Sequence, residues 1–380
     1  MRVTRAAFRY QRNYALAVAA EAMAPVLRAA ARTMRRGPRT DPSTWRTGLI
    51  LGHSHIGDVL YRTCSLAPLA AGLPDCRWDY LTSPSAAPIL GDNPALRSVL
   101  PFTMGDDSAR VSGESFLTLR RARYDVVLCT NTIRHLPDFV LAAALGIPNR
   151  AGFGDKGYSG LLTMPVATQY PQPLAGYFRT LVGAVAGRAP DWPLQPRVFP
   201  SASERRRADE CLGALHLDPS LPILACTVTT RQAVGAWPPA FFREVLAAVV
   251  RERPVNVLLC GGVRDEPTLR DIANALPTAA HVVAGSLQWL EFAEVLRRCD
   301  ALFCMDSGPR HLANAVGTPV AFARNLAFAD VEAGEYCANE TDLTAVVAGA
   351  SGAVDVESLM RPASVTRAAD LLLGMLERGR

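Results

Sequence analysis

Short apolar runs alternate with stretches of helical period along most of the chain, and they do so in two blocks. In the first block, runs near 47–53, 77–82, 98–102, 125–130 and 150–153 read as strands, separated by helical patterns near 56–72, 84–91, 113–122 and 135–145. The second block repeats the rhythm, with strands at 222–227, 255–260, 281–284, 301–305 and 319–323 and helices at 239–251, 266–275, 287–298 and 309–316. A run such as Ala301-Leu302-Phe303-Cys304-Met305 suits a strand covered on both faces. Strands that alternate with helices predict a mostly parallel sheet, so the expected class is α/β with two domains.

Between the blocks, "GRAPDWPLQPRVFPSASE" at 187–204 carries four prolines and reads as a linker. Ser201 and Glu204 then form an S-x-x-E box that opens a new helix. The last helix, near 364–378, puts Ala369, Leu372, Leu373 and Leu376 on one face and needs an apolar partner. The expected organisation is an arm at 1–45, a first domain at 46–186, a linker at 187–200, a second domain at 201–362 and a final helix at 363–380. Two parallel-sheet domains in tandem are expected to bind ligands at the carboxyl ends of their strands, with loops from both halves contributing.

Composition adds a compartment and locates the charge. The chain has 380 residues, 49% hydrophobic and 20% charged, with no stretch long enough to span a membrane. Nine cysteines without a C-x-x-C pattern, several of them within apolar runs, read as reduced thiols in a cytoplasmic protein. The net charge is +5, yet residues 1–40 hold nine arginines against Glu21 alone. The basicity therefore belongs to the arm and is no sign of a nucleic-acid-binding body. Arg5, Arg9 and Arg12 share one helical face, with Phe8, Leu16 and Met23 available for another, which suits an anionic membrane surface as well as a helix packed on the body. Ala22-Met23-Ala24 imitates a signal-peptide cleavage site, but Glu21 and Pro25 argue against one.

Two loops carry candidate chemistry. In "GHSHIGDVLYRT", 52–63, Asp58 falls at the start of a helix after the first strand; it either complements the helix dipole or serves as a general base, and spacing alone leaves both open. In "CMDSGPRHLANAVGTPVAF", 304–322, Pro309 fits a first helical turn, so Ser307 and Gly308 sit where backbone N–H groups and the helix dipole make an anion site. Gly152-Phe-Gly154-Asp-Lys-Gly157 satisfies G-x-G-x-x-G but does not open the first strand–helix unit, and no acid follows for a ribose, so a dinucleotide site is not expected. No two Asp residues are spaced as D-x-D, and no metal is expected.

Gly57-Asp58, "LGDNPALRSVLPF" at 90–102, "RYDVVLCTN" at 123–131, "AWPPAFFREVL" at 236–246, "GGVRDE" at 261–266 and above all "MDSGPRHLANAVGTPV" at 305–320 follow one another as in glycosyltransferase family nine, which the chain resembles from about residue 47 onward. The resemblance implies a GT-B architecture of two facing Rossmann-like domains, with a final helix crossing back to the first. It further implies inverting, metal-independent sugar transfer from a nucleotide diphosphate donor, most simply ADP-heptose, to a glycolipid or other surface glycan, with no cofactor. Asp306, Ser307, Gly308 and His311 match the stretch that holds the donor diphosphate, Glu266 matches an acid on the nucleoside side, and Asp58 matches the catalytic base.

The sequence departs from that pattern in two places. The family's lysine two residues before the Trp-Pro pair is Gly235 here, and the chain's only lysine is Lys156; Arg231, grouped with Thr229 on "TVTTRQAVGAW", is the candidate replacement cation. A Gly-Pro-Thr-like turn after the last quoted strand is replaced by "ARNLAFADVE" at 323–332. These departures leave a noncatalytic nucleotide-sugar-binding protein and a nucleotide-sugar epimerase as alternatives. Arg134, His135 and Arg150 are the candidates for an acceptor-side surface. Peripheral attachment to the inner membrane through residues 1–40 completes the expectation.

Overall fold

A computed structural model describes residues 18–19, 21–26, 41–52, 55–102, 113–131, 136–156, 158–230, 235–325, 330–348 and 355–378. The chain divides into two compact units, Met1–Leu194 and Gln195–Arg380. The division falls inside the Pro-rich stretch.

The first unit holds a six-stranded sheet of β1 (Thr47–Leu51), β2 (Arg77–Thr82), β3 (Ser98–Pro101), β4 (Val126–Cys129), β5 (Asn149–Phe153) and β6 (Met164–Val166). The order across the sheet is β3-β2-β1-β4-β5-β6, and every pairing is parallel. Central β1 and β4 are buried along nearly their whole length, which is why their sequences are apolar without alternation. The helical pattern at 56–72 breaks into a helix at Ile56–Arg62, a 3-10 turn at Thr63–Ser65 and a helix at Leu66–Gly72. Pro68 explains the break: it is tolerated in the first turn of the new helix but has no N–H to continue the old one. The expected helix at 84–91 is a 3-10 turn at Ala87–Leu90, in a stretch interrupted by Pro84 and Pro88.

The second unit repeats the arrangement with β7 (Ile223–Thr227), β8 (Asn256–Gly261), β9 (Ala280–Ala284), β10 (Ala301–Met305), β11 (Val320–Ala323) and β12 (Glu340–Asp342). Its order is β12-β11-β10-β7-β8-β9, again parallel throughout. The Ser201–Glu204 box caps the helix Ala202–Gly213 as its spacing predicts, each side chain bonding the other's backbone N–H. Phe242 of the helix Pro239–Glu252 stacks on Phe303 of β10 with centroids 4.6 Å apart, fixing helix to sheet.

The apolar face of the final helix, Pro362–Arg378, finds a partner in the second unit: Ala369, Leu372 and Leu376 enter that unit's core beside the helix Pro239–Glu252. The helix Leu174–Ala186 and the short edge strands β6 and β12 are elements that the hydrophobic pattern did not announce. All nine cysteines are unpaired; eight are buried and Cys211 is partly exposed. Of the arm, Glu21 accepts from the Ser159 N–H at 2.6 Å and from its hydroxyl at 2.7 Å, and Ala24 is buried. Val18, Met23 and Val26 of the same stretch are 53%, 50% and 57% exposed.

Candidate functional site

The first candidate group stands at the carboxyl end of β1. Gly52 ends the strand against Tyr80, and any Cβ there would lie 2.2 Å from the phenol oxygen, so only glycine lets the chain leave the sheet at this point. The helix Ile56–Arg62 follows with His55 as its N-cap and Asp58 at the third position. Asp58 Oδ2 accepts from the His55 N–H at 3.2 Å, and Oδ1 accepts from the Tyr61 hydroxyl at 3.0 Å. The capping geometry is therefore real, and it also fixes the carboxylate's orientation. Burial, and after it the Asp58 charge, pushes the Tyr61 phenol well above its ordinary value, so Tyr61 keeps its proton and is the donor in that bond. Arg62, next on the helix, is buried as well. Burial works against its charge, but Tyr61, Tyr80 and Asp58 more than offset this.

Of the three acceptor-side candidates, Arg134 and His135 lie outside the described residues. Arg150 does not belong to an exposed acceptor surface. It is 3% exposed, on the second residue of β5, and donates from Nε to the Leu161 carbonyl at 2.6 Å and from Nη1 to the Ile147 carbonyl at 2.7 Å. Carbonyls left over by the turns around β5 take up a guanidinium that the sequence presented as a surface charge.

The second group is built where β10 runs into the helix Gly308–Val316. Ser307 is the N-cap with an extended backbone, and its hydroxyl turns back to the Met305 carbonyl at 3.2 Å instead of capping the helix. The start of a nine-residue helix is thus left without a side-chain cap, at the point where its dipole favours an anion. Asp306 is held by its own N–H on the Ala323 carbonyl and by Arg310, whose Nη1 donates to Oδ1 at 2.8 Å.

Arg310 is 1% exposed and nearly saturated. It donates to Glu340 Oε2 at 2.8 Å and to the Ala333 and Gly334 carbonyls at 2.9 and 2.6 Å, and its guanidinium lies 3.4 Å from the Phe322 ring centroid. Glu340 also accepts from Asn314 at 2.7 Å and from the Tyr336 and Cys337 N–H groups at 2.6 and 3.0 Å. Burial would raise this carboxyl, but Arg310 and the hydrogen bonds hold it below its ordinary range. His311 meets Tyr336: Nδ1 is 2.6 Å from the phenol oxygen, and Nε2 is 3.9 Å from Asp306 Oδ1.

Arg310, Glu340 and Tyr336 went unnoticed in the sequence. Arg310 had a signal, since it stands four residues after Asp306, a spacing that pairs charges on a helix. Glu340 and Tyr336 had none, because their position depends on how the chain returns through the three-residue β12.

The remaining donor-side candidates gather by strand order. In the sequence β10-β7-β8 across the sheet, the carboxyl ends carry Asp306, the half-buried Thr229 and Glu266 in turn. Glu266 opens the helix Glu266–Ala275 and accepts from Arg270 at 2.6 and 3.0 Å. Arg231 lies outside the described residues. Gly235 has φ +77°, a left-handed backbone that a lysine would adopt only under strain. Two residues on, Trp237 is buried and donates to the Arg324 carbonyl at 2.9 Å. Both departures in the sequence, at Gly235 and at 323–332, thus meet beside one buried indole.

Among the described residues, no helix is long and apolar enough to cross a membrane. Comparison with known proteins gives four findings. The family model described as "Glycosyltransferase family 9 (heptosyltransferase)" matches residues 115–321. Lipopolysaccharide heptosyltransferase 2 of Escherichia coli strain K12 is 25% identical over 296 residues, covering 72% of this chain and 80% of that one. Among solved structures, the glycosyl transferase family 9 protein from Veillonella parvula is similar with a TM-score of 0.72 at 16% identity, over 89% of this chain and 99% of that one. The E. coli ADP-heptose lps heptosyltransferase II is similar with a TM-score of 0.67 at 19% identity, over 87% and 99%. The structural likeness carries the fold class, two Rossmann-like units of the GT-B kind.

Proposed function

Since the chain belongs to glycosyltransferase family 9, the heptosyltransferase family, we propose that it transfers a heptose from ADP-heptose to a glycolipid core or other surface glycan, with inversion and without a metal or further cofactor. The observation that carries this reading is the uncapped start of the helix Gly308–Val316, which presents Ser307 and Gly308 at the positive end of the helix dipole, directly after Asp306. The donor named in the solved relative, ADP-heptose, is of the diphosphate class that such a terminus suits.

In the proposed reaction, Asp58 takes the proton of the acceptor hydroxyl as that oxygen bonds to the anomeric carbon. The bond from that carbon to the diphosphate oxygen breaks, and its electron pair leaves on the diphosphate. One displacement inverts the centre. Backbone N–H groups at Ser307 and Gly308, with His311, meet the charge that develops on the leaving group, so stabilisation comes from fixed dipoles that need no reorganisation. Thr229, Arg231 and Glu266 complete the donor side, with Arg231 as the cation in place of the missing lysine and Glu266 toward the nucleoside.

A cytoplasmic enzyme attached to the inner membrane is the setting we propose. The unpaired buried thiols fit a reducing compartment. The arm spends its single acid, Glu21, on Ser159 and turns Val18, Met23 and Val26 outward; with the nine arginines in the sequence of residues 1–40, these exposed apolar side chains suit an anionic bilayer.

Incubating the purified protein with ADP-heptose and a heptose-acceptor glycolipid, in EDTA, tests the reading. The expected result is ADP release that depends on the acceptor, with a product of inverted anomeric configuration by NMR. Release restored only by a divalent cation would remove metal independence, and no release with no ADP binding would remove the donor.

A further inference from the structure

We infer that Tyr336 is a positioning residue for donor binding: its hydroxyl donates to Nδ1 of His311 and so places the imidazole proton on Nε2, the nitrogen turned toward Asp306 and the start of the helix Gly308–Val316. The inference rests on the assignment of His311 to the donor diphosphate given above.

The geometry begins with the 2.6 Å contact between Nδ1 and the phenol oxygen. In a neutral imidazole one nitrogen donates and the other accepts, so whichever group owns the proton of this bond decides what Nε2 can do. Burial, followed by Glu340 and Cys337, pushes the phenol well above its ordinary value, so Tyr336 is neutral and has a proton to give. Its other neighbours are poor takers. Glu340 already accepts two N–H bonds at Oε1 and two more from Arg310 and Asn314 at Oε2. Asn314 meets the phenol as a donor: its side-chain hydrogen bond works against the upward shift, as a donor to the phenol oxygen does. The rival arrangement, with Nδ1–H donating to the phenol and the phenol proton passed to Asn314, would need Asn314 to accept there, but its Oδ1 has no hydrogen-bond partner.

The pair belongs to a larger clamp. Residues 333–340 supply the Ala333 and Gly334 carbonyls and Glu340 to Arg310, and Tyr336 to His311, so one return segment holds two successive side chains of the helix. Tyr336 also lies with its ring centroid 5.3 Å from the Arg310 guanidinium. The segment follows residue 321, where the match to the family model ends, and comes directly after the stretch that departs from the family's usual turn. Arg310 then governs Asp306 and Tyr336 governs His311. An Nε2–H held in this way is a preformed donor for a phosphate oxygen and loses little freedom on binding.

The test reads the tautomer and the affinity separately. Long-range ¹H–¹⁵N NMR of the full chain labelled at histidine nitrogens, with His311→Gln to assign the signal, is expected to show the Nε2–H tautomer at His311. Tyr336→Phe should turn it into a mixture. The same variant should weaken ADP binding, measured by calorimetry, by roughly three- to tenfold, the loss expected for one hydrogen bond's orienting effect. In a His311→Gln background, where the amide carries its N–H regardless of Tyr336, adding Tyr336→Phe should cost no further affinity. An Nδ1–H tautomer in the wild type, an unchanged tautomer in Tyr336→Phe, or equal losses in both backgrounds would overturn the inference. Failure of the wild type to bind ADP would instead overturn the donor assignment, and the proposed role with it, while the NMR still judges the proton's position.

Discussion

Numbered from its own first strand, each sheet runs 3-2-1-4-5-6, and each anchors that strand alike: Asp125, before β4, accepts from the Thr47 N–H at 3.0 Å, and Asp300, before β10, accepts from the Ile223 N–H at 2.7 Å. In this order the winding reverses between strands 1 and 4, the place where such sheets receive ligands. The units use opposite sides of that point. The first puts an acid in the first turn of the helix after strand 1, Asp58, and the second puts one on the loop after strand 4, Asp306. Asp58 accepts from neutral groups, a phenol and a backbone N–H, whereas Asp306 accepts from a buried guanidinium. In the proposed reaction that contrast goes with proton transfer at Asp58 and charge holding in the second unit.

The comparison breaks first at Asp58. Asp58→Asn should lower turnover by about 10²- to 10⁴-fold while ADP affinity, measured by calorimetry, stays unchanged, because a base acts in the transition state. Full activity in this variant would end the division of labour. Next comes the buried pair. Arg310→Met leaves Glu340 without its cation and should destabilise the chain by about 3–5 kcal/mol in urea unfolding; a loss under 1 kcal/mol would show that the clamp is not structural.

Acid sharpens the same point. Glu340 is held below its ordinary value of 4.5, so its contribution is complete above that pH and is lost as the pH falls through its own lower value. Glu340→Gln should therefore be less stable than the wild type at neutral pH, with the gap narrowing below about pH 4 in acid-unfolding curves. A gap that stayed constant with pH would refute the assignment. His311→Ala should weaken ADP binding by about tenfold and lower turnover with it, since its partner oxygens are present before and during transfer, whereas Ser307→Ala keeps the backbone N–H and loses only the hydroxyl held by the Met305 carbonyl, so it should change affinity by less than about threefold. Unchanged calorimetry in His311→Ala would detach that residue from the donor. The smallest effect on catalysis belongs to the arm: removing residues 1–40 should abolish sedimentation with anionic vesicles yet leave turnover of a soluble acceptor analogue unaltered. Equal sedimentation of both forms would make the arm a tail.

Much of this architecture was legible because its strands are covered on both faces. β10 is apolar at each of its five positions, and the change to a helix is marked by Pro309, which fits a first helical turn. The helix Leu174–Ala186 escaped notice because Gly176 and Gly183 weaken its propensity, although Tyr177, Phe178, Leu181, Val182 and Val185 bury one side of it. Arg150 and Arg310 show a second limit. A charged residue reads as exposed until the fold brings carbonyls or a carboxylate to it, and those partners lie 11 residues away for Leu161 and 30 for Glu340. The final helix shows a third, since an apolar face states that a partner exists without stating which.

The thiols give each unit a clock of its own. Burial pushes Cys64 to about 11 and Cys76 and Cys260 to about 12, and Cys129, Cys226, Cys299 and Cys304 are raised as well. Alkylating reagents attack the thiolate, so in the native chain Cys211, the partly exposed one, should react first, and each buried thiol only at the rate at which its surroundings open. With Cys64, Cys76 and Cys129 in one unit and the other six in its neighbour, the order of modification reports which half of the molecule loosens first when the proposed donor or acceptor is withheld.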